Sequence, residues 1–333
     1  MESQLRTKPS MGFKKGRKKD PVEKFITSNQ VIVKTGLSQL RYMILAEGLT
    51  THSDLESCPY RCYVWSILLQ VPPTESEFYI ELVSQGRSQS FDKILNDAHR
   101  TLKGDPNYES KVTPTILART LNCYALMTEI KNENVSRGSK RNSRAYLSSP
   151  YIQGMNILMA PFLYVCKTEP QAFLLFDKMI NGHMPLYVLP NLEGAHTGVR
   201  MVDLCLQIVD PKLHSYLSKK MLKTEIYAFP SVLTLSACTP PLSEVLELWD
   251  FLFSYGIHLN VLFIVAQLVL IRSELMKISN PMTLLREFPK LESKKIIKLG
   301  ISFIEKIPKD VYMLLVKHTH DPTISEQLDA YYR

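Results

Sequence analysis

An aspartate and an arginine three positions apart, Asp97 and Arg100, are the first residues whose spacing could do chemistry. The surrounding segment 94–101 is predicted to be helical, and successive residues on a helix lie about 100° apart. Ile94 would then anchor in the core while Arg100 emerges at its edge, with Asp97 three residues before it. A carboxylate three residues before an arginine can orient the planar guanidinium. Taken alone, however, such a pair is more typical of a solvated helix surface.

A glutamine in a predicted turn is the second candidate. Gln153 lies between Pro150 and Gly154, which both favour a tight turn, and just before the apolar run 157–166. Its side chain has a carbonyl acceptor and an amide donor. Holding a water molecule in place requires both kinds of group. A glutamine in a loop is nevertheless more often structural or solvated, so this residue alone assigns no function.

Self-contained catalytic motifs are missing from the sequence. It has no GxxxxGK[ST] phosphate loop, no GxGxxG, no GxSxG and no HExxH. The six cysteines form no CxxC pair, and His318 and His320 are too few to define a metal site. We therefore expect no metal or cofactor of the protein's own, and reduced thiols in a cytosolic or nuclear setting. A catalytic role would consist of completing another protein's active site.

The elements that must hold these residues are predicted to be helices. Apolar residues recur at helical spacing over 242–253, between Pro241 and Gly256, which are typical of a helix start and stop. Comparable patterns occupy three further segments: 168–182, 210–221 and 296–304. The most apolar stretch, 257–271, is shorter than the roughly 20 residues of a membrane span and is predicted to be a buried core helix. Alternating strand patterns are scarce, so the predicted fold class is all-α.

The formal net charge of +8 is concentrated in two segments. Residues 1–30 contribute +5 and residues 131–144 contribute +4, which leaves −1 for the rest of the chain. The first segment is predicted to be a disordered tail, and the second to belong to an exposed loop, 131–149, between two helices. Because the rest is nearly neutral, the charge does not indicate a folded nucleic-acid-binding face. Nuclear import or binding to an anionic surface are alternative roles for the tail.

The two candidate segments together resemble the TBC family, the GTPase-activating proteins of Rab-type and related small GTPases. Three motifs of that family occur, in the family's order, between residues 61 and 154. They are RxxxW as Arg61 and Trp65, IxxDxxR as Ile94, Asp97 and Arg100, and YxQG as Tyr151, Gln153 and Gly154. Three ordered motifs are far more specific than any one of them.

The sequence further resembles one branch of this family, that of the fungal spindle-position checkpoint. The similarity covers roughly residues 37–322 and includes the segments 38–42, 225–227 and 248–251. In that branch the TBC protein is one subunit of a two-component activator of the small GTPase of the mitotic exit, or septation initiation, network. The resemblance therefore implies that GTPase and a scaffold subunit as partners, and a place in the cytoplasm, at the spindle pole body and cytoskeleton. The charge distribution and the short apolar stretch predict no nucleic-acid partner and no transmembrane segment.

A role for each motif residue also follows from the resemblance. The TBC domain would span residues 31–325 as two helical lobes, 31–190 and 191–325. Arg100 would be an arginine finger acting in trans and Gln153 would orient the attacking water, while the partner GTPase holds GTP and Mg²⁺. The supporting roles are Asp97 positioning Arg100, Tyr151 and Gly154 shaping the turn of Gln153, Ile94 anchoring the helix, Trp65 filling the core and Arg61 donating a structural ion pair.

Two other classes of function stay open from the sequence alone. The first is a non-catalytic TBC-fold platform for a scaffold subunit or GTPase, although a pure platform does not require both Arg100 and Gln153. The second is a nucleic-acid-associated helical protein, which rests only on the charge of the tail and the loop. Salt-dependent binding that vanished when residues 1–30 were deleted would separate that class from the others.

Overall fold

Helices make up the secondary structure of the part of the chain that the computed structural model describes, residues 33–49, 58–72, 76–138 and 147–332. No β-strand occurs within these ranges, and the all-α prediction is confirmed. The α-helices are α1 Val33–Glu47, α2 Arg61–Leu68, α3 Glu77–Ser84, α4 Phe91–Ala98, α5 Pro106–Lys111, α6 Pro114–Gly138, α7 Met155–Val165, α8 Glu169–His183, α9 Glu193–Val209, α10 Pro211–Lys219, α11 Thr224–Leu233, α12 Leu242–Tyr255, α13 Asn260–Leu270, α14 Arg272–Leu275, α15 Met282–Arg286, α16 Ser293–Ser302, α17 Lys309–Lys317 and α18 Ile324–Leu328. Short 3₁₀ segments occupy Pro185–Val188, Ile257–Leu259, Ile304–Lys306 and Asp329–Tyr331.

Helix ends follow the predicted start and stop residues at several places. Helix α12 begins after Pro241 and ends before Gly256, which has a φ of 127°. At the start of α10 the carboxylate of Asp210 accepts a hydrogen bond of 3.0 Å from the amide of Leu213. Both helices are confirmed. Helix α8 differs slightly, because it continues through Gly182 and ends one residue later.

The prediction that Arg100 continues the helix of Ile94 and Asp97 is wrong. Helix α4 ends at Ala98, and Arg100 lies in the turn that follows. The amide of Arg100 donates to the carbonyl of Asp97 at 3.2 Å, which is the tighter i−3 pattern of a 3₁₀ turn. Next, Leu102 has a φ of 45°, so the chain leaves the helical direction there. The finger candidate is therefore a turn residue rather than a helix residue.

The first part of the predicted loop 131–149 is helical, which corrects that prediction. Helix α6 continues through Gly138 because no glycine or proline interrupts it after Pro114, and its polar end can be solvated as a helix. The Nζ of Lys131 lies 3.6 Å from an Asp177 carboxylate oxygen, which anchors this extension. Residues 139–146 and the basic tail of residues 1–30 lie outside the described ranges.

Helix α12 connects the elements that carry the motifs. It packs against α1, α2 and α7, so it fixes the start of the motif region relative to the helix that follows Gln153. Trp65 on α2 is fully buried, with its ring centroid 5.5 Å from that of Phe162 and 5.1 Å from that of Phe253. Trp249 completes this aromatic cluster, 5.9 Å from Trp65. Such ring pairs stabilise a core beyond their buried area.

The apolar segment 257–271 confirms its predicted place in the core. It forms the 3₁₀ segment Ile257–Leu259 followed by α13, and most of its side chains are buried. Within the described ranges, no helix has both the length and the apolar character that crossing a bilayer demands.

Candidate functional site

Asp97 and Arg100 form an ion pair at the edge of the core. The Asp97 side chain is only 8% exposed, whereas the Arg100 side chain is 62% exposed. One carboxylate oxygen, Oδ1, accepts hydrogen bonds from Arg100 Nε at 3.0 Å and from Nη2 at 2.6 Å. A guanidinium has five N–H donors, and this contact occupies one edge of it. The ion pair therefore fixes the orientation of Arg100 and leaves its other N–H groups facing outward.

Tyr151 holds the same carboxylate from its other side. The Tyr151 hydroxyl donates a hydrogen bond of 2.7 Å to Asp97 Oδ2. Burial and the facing Asp97 carboxylate both raise the pKa of Tyr151, so the phenol stays protonated and remains a donor. Asp97 is thereby bonded through both oxygens, to Arg100 and to the segment that carries Gln153. Tyr151 therefore lies in the predicted turn and also bonds the carboxylate that orients Arg100.

A second bridge joins the two segments behind the ion pair. The Thr101 hydroxyl donates to the Asp97 carbonyl at 2.7 Å and accepts from Asn156 Nδ2 at 2.8 Å. Asn156 Oδ1 in turn accepts from the amide of Gly154 at 3.1 Å. Thr101 and Asn156 are both buried. Buried polar groups that are fully paired restrict a core to one arrangement, so this bridge fixes the Arg100 turn relative to the Gln153 turn.

Two features of position 154 favour glycine: the backbone conformation and the limited space for a side chain. Its φ is 112°, which L residues with side chains rarely adopt. A Cβ atom there would also lie 3.2 Å from Leu233 Cδ2 on α11. Gly154 immediately precedes α7, and the neighbouring Gln153 is exposed. The glycine therefore allows the chain to turn tightly beside α11 and to present Gln153 at the surface.

Arg100 and Gln153 line the same open cavity, of about 740 Å³. Tyr151 and Asn156 contribute to its polar side, and Phe229 and Leu233 of α11 to an apolar side. Arg100 also lines a second cavity, of about 760 Å³. The two candidate residues thus face one space that is open to a partner, while Ile94, at 0% exposure, anchors α4 beneath them.

Arg61 and Trp65 belong to a buried polar contact, although Arg61 also lines the second cavity. Arg61 Nε lies 3.0 Å from Asp250 Oδ1, its Nη2 lies 3.1 Å from Oδ2, and the Trp65 indole N–H donates to Oδ1 at 2.7 Å. Burial alone would lower the pKa of Arg61, but the facing Asp250 carboxylate raises it, so the guanidinium is charged. This contact joins α2 to α12 and is structural in character.

Sequence reasoning missed three residues of these networks. Asp250 was given no role, although it is the partner of Arg61 across 189 positions of the chain. Thr101 and Asn156 were likewise given none. A polar residue at the start of an apolar helix, as Asn156 is, could have signalled a buried bond. Its partner could not be inferred, because the two residues are 55 positions apart.

Metal ligands do not cluster in the part of the chain that the structure describes, where no three His, Cys, Asp or Glu residues could hold an ion. Both ring nitrogens of His318 are engaged, one 2.9 Å from the Tyr187 hydroxyl and the other 2.6 Å from the Leu315 carbonyl. His320 Nε2 lies 3.1 Å from the Gly182 carbonyl. Both histidines therefore have protein partners within hydrogen-bonding distance.

The described part of the chain is thus an all-helical domain in which an arginine and a glutamine line one open cavity. The family model of the Rab-GTPase-TBC domain matches residues 58–276, and the chain belongs to that family. It is 43% identical over 306 residues to the mitotic check point protein BUB2 of Saccharomyces cerevisiae, covering 91% of this chain and 98% of that protein. It is 44% identical over 293 residues to cell division control protein 16 of Schizosaccharomyces pombe, covering 88% and 91%. The resemblance predicted from the motifs is confirmed.

Solved structures agree at the level of the fold. The crystal structure of the Ypt/Rab-GAP domain of Gyp1p superposes with a TM-score of 0.63 at 15% identity, covering 84% of this chain and 94% of that one. The RabGAP TBC domain from the flagellum of Chlamydomonas gives a TM-score of 0.57 at 18% identity, covering 88% and 85%.

Proposed function

We propose that this chain is a GTPase-activating protein that supplies Arg100 and Gln153 in trans to a small GTPase of the Ras superfamily. The observation that carries the proposal is the Arg100 ion pair. A buried carboxylate holds one edge of an exposed guanidinium, and Arg100 lines the cavity that Gln153 also lines. Membership of the Rab-GTPase-TBC domain family supports the same reading.

The chemistry of GTP hydrolysis matches what Arg100 offers. Negative charge must be stabilised on the phosphoryl group as it transfers, and an arginine supplied in trans accelerates hydrolysis by roughly 10³ to 10⁵. That factor corresponds to about 4 to 7 kcal/mol of transition-state stabilisation. Groups that are already oriented need no reorganisation at the moment of reaction. The Asp97 and Tyr151 contacts provide that orientation for Arg100.

Gln153 supplies the second requirement, an oriented water molecule. Its amide N–H can donate a hydrogen bond to one oxygen while its carbonyl oxygen accepts a hydrogen bond from the water. In many GTPases a glutamine of the GTPase itself does this. Because Gln153 lies on a turn fixed by Gly154 and by the Asn156 bond, its backbone needs no further ordering when the GTPase binds.

The cellular setting is proposed from the relatives. The relatives from Saccharomyces cerevisiae and Schizosaccharomyces pombe are named for a mitotic check point and for cell division control. We place this chain in the same process, acting on the small GTPase of the mitotic exit or septation network at the spindle pole body. A scaffold subunit that holds the GTPase would be its second partner, and GTP and Mg²⁺ would belong to the GTPase.

Single-turnover GTP hydrolysis tests the proposal. Purified small GTPases of the mitotic exit network are loaded with GTP and followed with and without the full chain and the scaffold subunit, and an unrelated small GTPase is the control. We expect hydrolysis of the network GTPase to accelerate by at least 10³. Binding without any acceleration would instead support the non-catalytic platform.

A further inference from the structure

Two cysteines from distant parts of the chain meet beside the aromatic cluster. Cys62 lies in the first turn of α2, and Cys166 is the residue that follows α7. Their Sγ atoms are 3.0 Å apart although the residues are separated by 104 positions. A disulfide bond measures about 2.0 Å, so the two sulfurs need approach by only about 1 Å to bond. We propose that Cys62 and Cys166 form a redox modification site, which closes to a disulfide when a peroxide oxidises it.

The other four cysteines lack this arrangement. Cys58, Cys123 and Cys205 are buried, and Cys238 is exposed but has only hydroxyl neighbours, at 3.7 Å from Ser231 and 4.0 Å from Thr239. Cys62 and Cys166 are both partly accessible, so a small oxidant can reach them. Accessibility and a partner thiol within reach are the two features that distinguish redox-sensitive cysteines from inert ones.

The two thiols have different roles in the proposed reaction. The hydrogen bond between the two sulfurs, together with the nearby Lys167 ammonium, lowers the pKa of Cys62. The same hydrogen bond, together with burial, raises the pKa of Cys166. Cys62 is also less buried than Cys166. We therefore assign Cys62 as the thiolate that attacks an oxidant and Cys166 as the thiol that resolves the product.

The chemical steps balance with hydrogen peroxide as the oxidant. The Cys62 thiolate attacks one peroxide oxygen, the S–O bond forms, the O–O bond breaks, and hydroxide leaves and is protonated to water. Cys62 is then a sulfenic acid, oxidised by two electrons. Cys166 attacks that sulfur, the S–S bond forms, and the S–O bond breaks. The departing hydroxide takes the proton that Cys166 loses, so two thiols and one peroxide give one disulfide and two waters.

Such a bond would join α2 directly to the end of α7. Both helices already pack against α12, so the bond adds a covalent link to an existing contact. Closing a loop of about a hundred residues restricts the unfolded chain and raises stability. The sulfurs do not line the cavity shared by Arg100 and Gln153, so this inference does not depend on the proposed function.

Peroxide treatment of the full-length chain, followed by peptide mass spectrometry without reductant, tests the site. We expect a cross-linked pair of peptides containing Cys62 and Cys166, two hydrogens lighter than the separate thiols, which dithiothreitol reverses. Cys62→Ser and Cys166→Ser should each abolish it, while the exposed control Cys238→Ser should retain it. In Cys166→Ser, dimedone should trap a sulfenic acid on Cys62. Oxidised wild-type protein should also melt several degrees higher and exchange its α2 amides more slowly.

The opposite results overturn the proposal. Cys62 and Cys166 recovered as free thiols, at a peroxide dose that oxidises Cys238, would show that the pair is inert. A cross-link that persists in Cys166→Ser would show that another cysteine is the partner. Circular dichroism of each serine variant before oxidation shows whether the variant still folds. In a folded variant the surroundings of the remaining cysteine are preserved, so a lost cross-link reflects the lost thiol.

Discussion

Arg100 combines restraint and exposure in a single side chain. Its inner edge is bonded to Asp97, and more than half of the side chain remains accessible. An unrestrained surface arginine would lose rotamer entropy on meeting a partner, and the ion pair removes part of that cost in advance. The same contact means that the shape of the guanidinium matters, because Nε and Nη2 both bond one oxygen.

Replacing Arg100 by Lys or Ala should therefore abolish most stimulation of GTP hydrolysis, by a factor of roughly 10³ or more, while the fold stays intact. A lysine has no Nε–H donor and cannot present a planar fork while bonded to Asp97. Single-turnover hydrolysis and thermal melting would be measured together. Arg87→Lys is the matched control, since Arg87 is exposed and lies over the Phe91 ring, away from the cavity. A fully active Arg100→Lys variant would remove the finger assignment.

Substitution of Gln153 tests whether this residue or the GTPase's own glutamine orients the water. If it orients the water, Gln153→Ala should lower stimulation by 10² or more, and a substitution of the GTPase's own switch glutamine should leave much of the stimulation in place. Both variants would be assayed against the same GTPase, with Gln85→Ala as the exposed control. A harmless Gln153→Ala, paired with total loss on changing the GTPase's glutamine, would assign water positioning to the GTPase. Arg100 alone would then keep its role.

At the scale of the elements, the turn after α4 and the turn before α7 behave as one unit. Two bridges join them, Tyr151 to Asp97 and Asn156 to Thr101. The second bridge runs through a threonine hydroxyl that is both donor and acceptor. Losing that hydroxyl leaves the Asn156 amide buried and unpaired, and it loosens both turns at once.

Thr101→Val should therefore destabilise the protein by about 1 to 3 kcal/mol, the cost of an unsatisfied buried donor. It should also lower the maximal rate of stimulated hydrolysis more than it weakens GTPase binding, since the fingers lose their relative position. Thr101→Ser, which retains the hydroxyl, is the matched control and should lose little of either quantity. Urea unfolding and single-turnover titration measure the two effects. Equal losses of stability and of stimulated hydrolysis in the two variants would show that the hydroxyl bridge contributes to neither quantity.

The helices were largely predictable from the sequence because their signals are local. Period, proline and glycine located α12 between Pro241 and Gly256, and the motif spacing foresaw that Asp97 would contact Arg100. The end of α4 was not predictable, since it depends on the Thr101 hydroxyl and on a leucine with positive φ. Neither of these local features is contained in helix propensity. The Arg61 partner was hidden for a different reason, because nothing local marks a contact across 189 positions.

At the scale of the whole molecule, the Arg61–Asp250 pair holds the start of the described chain to its second half. Asp250→Ala should cost about 3 to 5 kcal/mol of unfolding free energy, because a buried guanidinium is left without its counter-charge. Asp329→Ala is the control, since it breaks a more exposed ion pair with Arg200 and should cost at most about 1 kcal/mol. Denaturant unfolding measures both. Similar losses in the two variants would show that the buried pair is no more important than the surface one.

We expect stimulation by this chain to depend on a scaffold subunit because of how the candidate site is built. Arg100 and Gln153 lie on turns that line an open cavity, and a cavity of this kind does not enclose a bound GTPase. A scaffold that binds both proteins would raise the effective concentration of the fingers to the millimolar range. We therefore expect the purified chain to be a poor activator alone and to gain stimulation in proportion to the scaffold that is bound, with no gain for Arg100→Ala in the same complex. Titrating the scaffold into the single-turnover assay measures this gain, and equal stimulation with and without scaffold would show that the chain recruits its GTPase unaided.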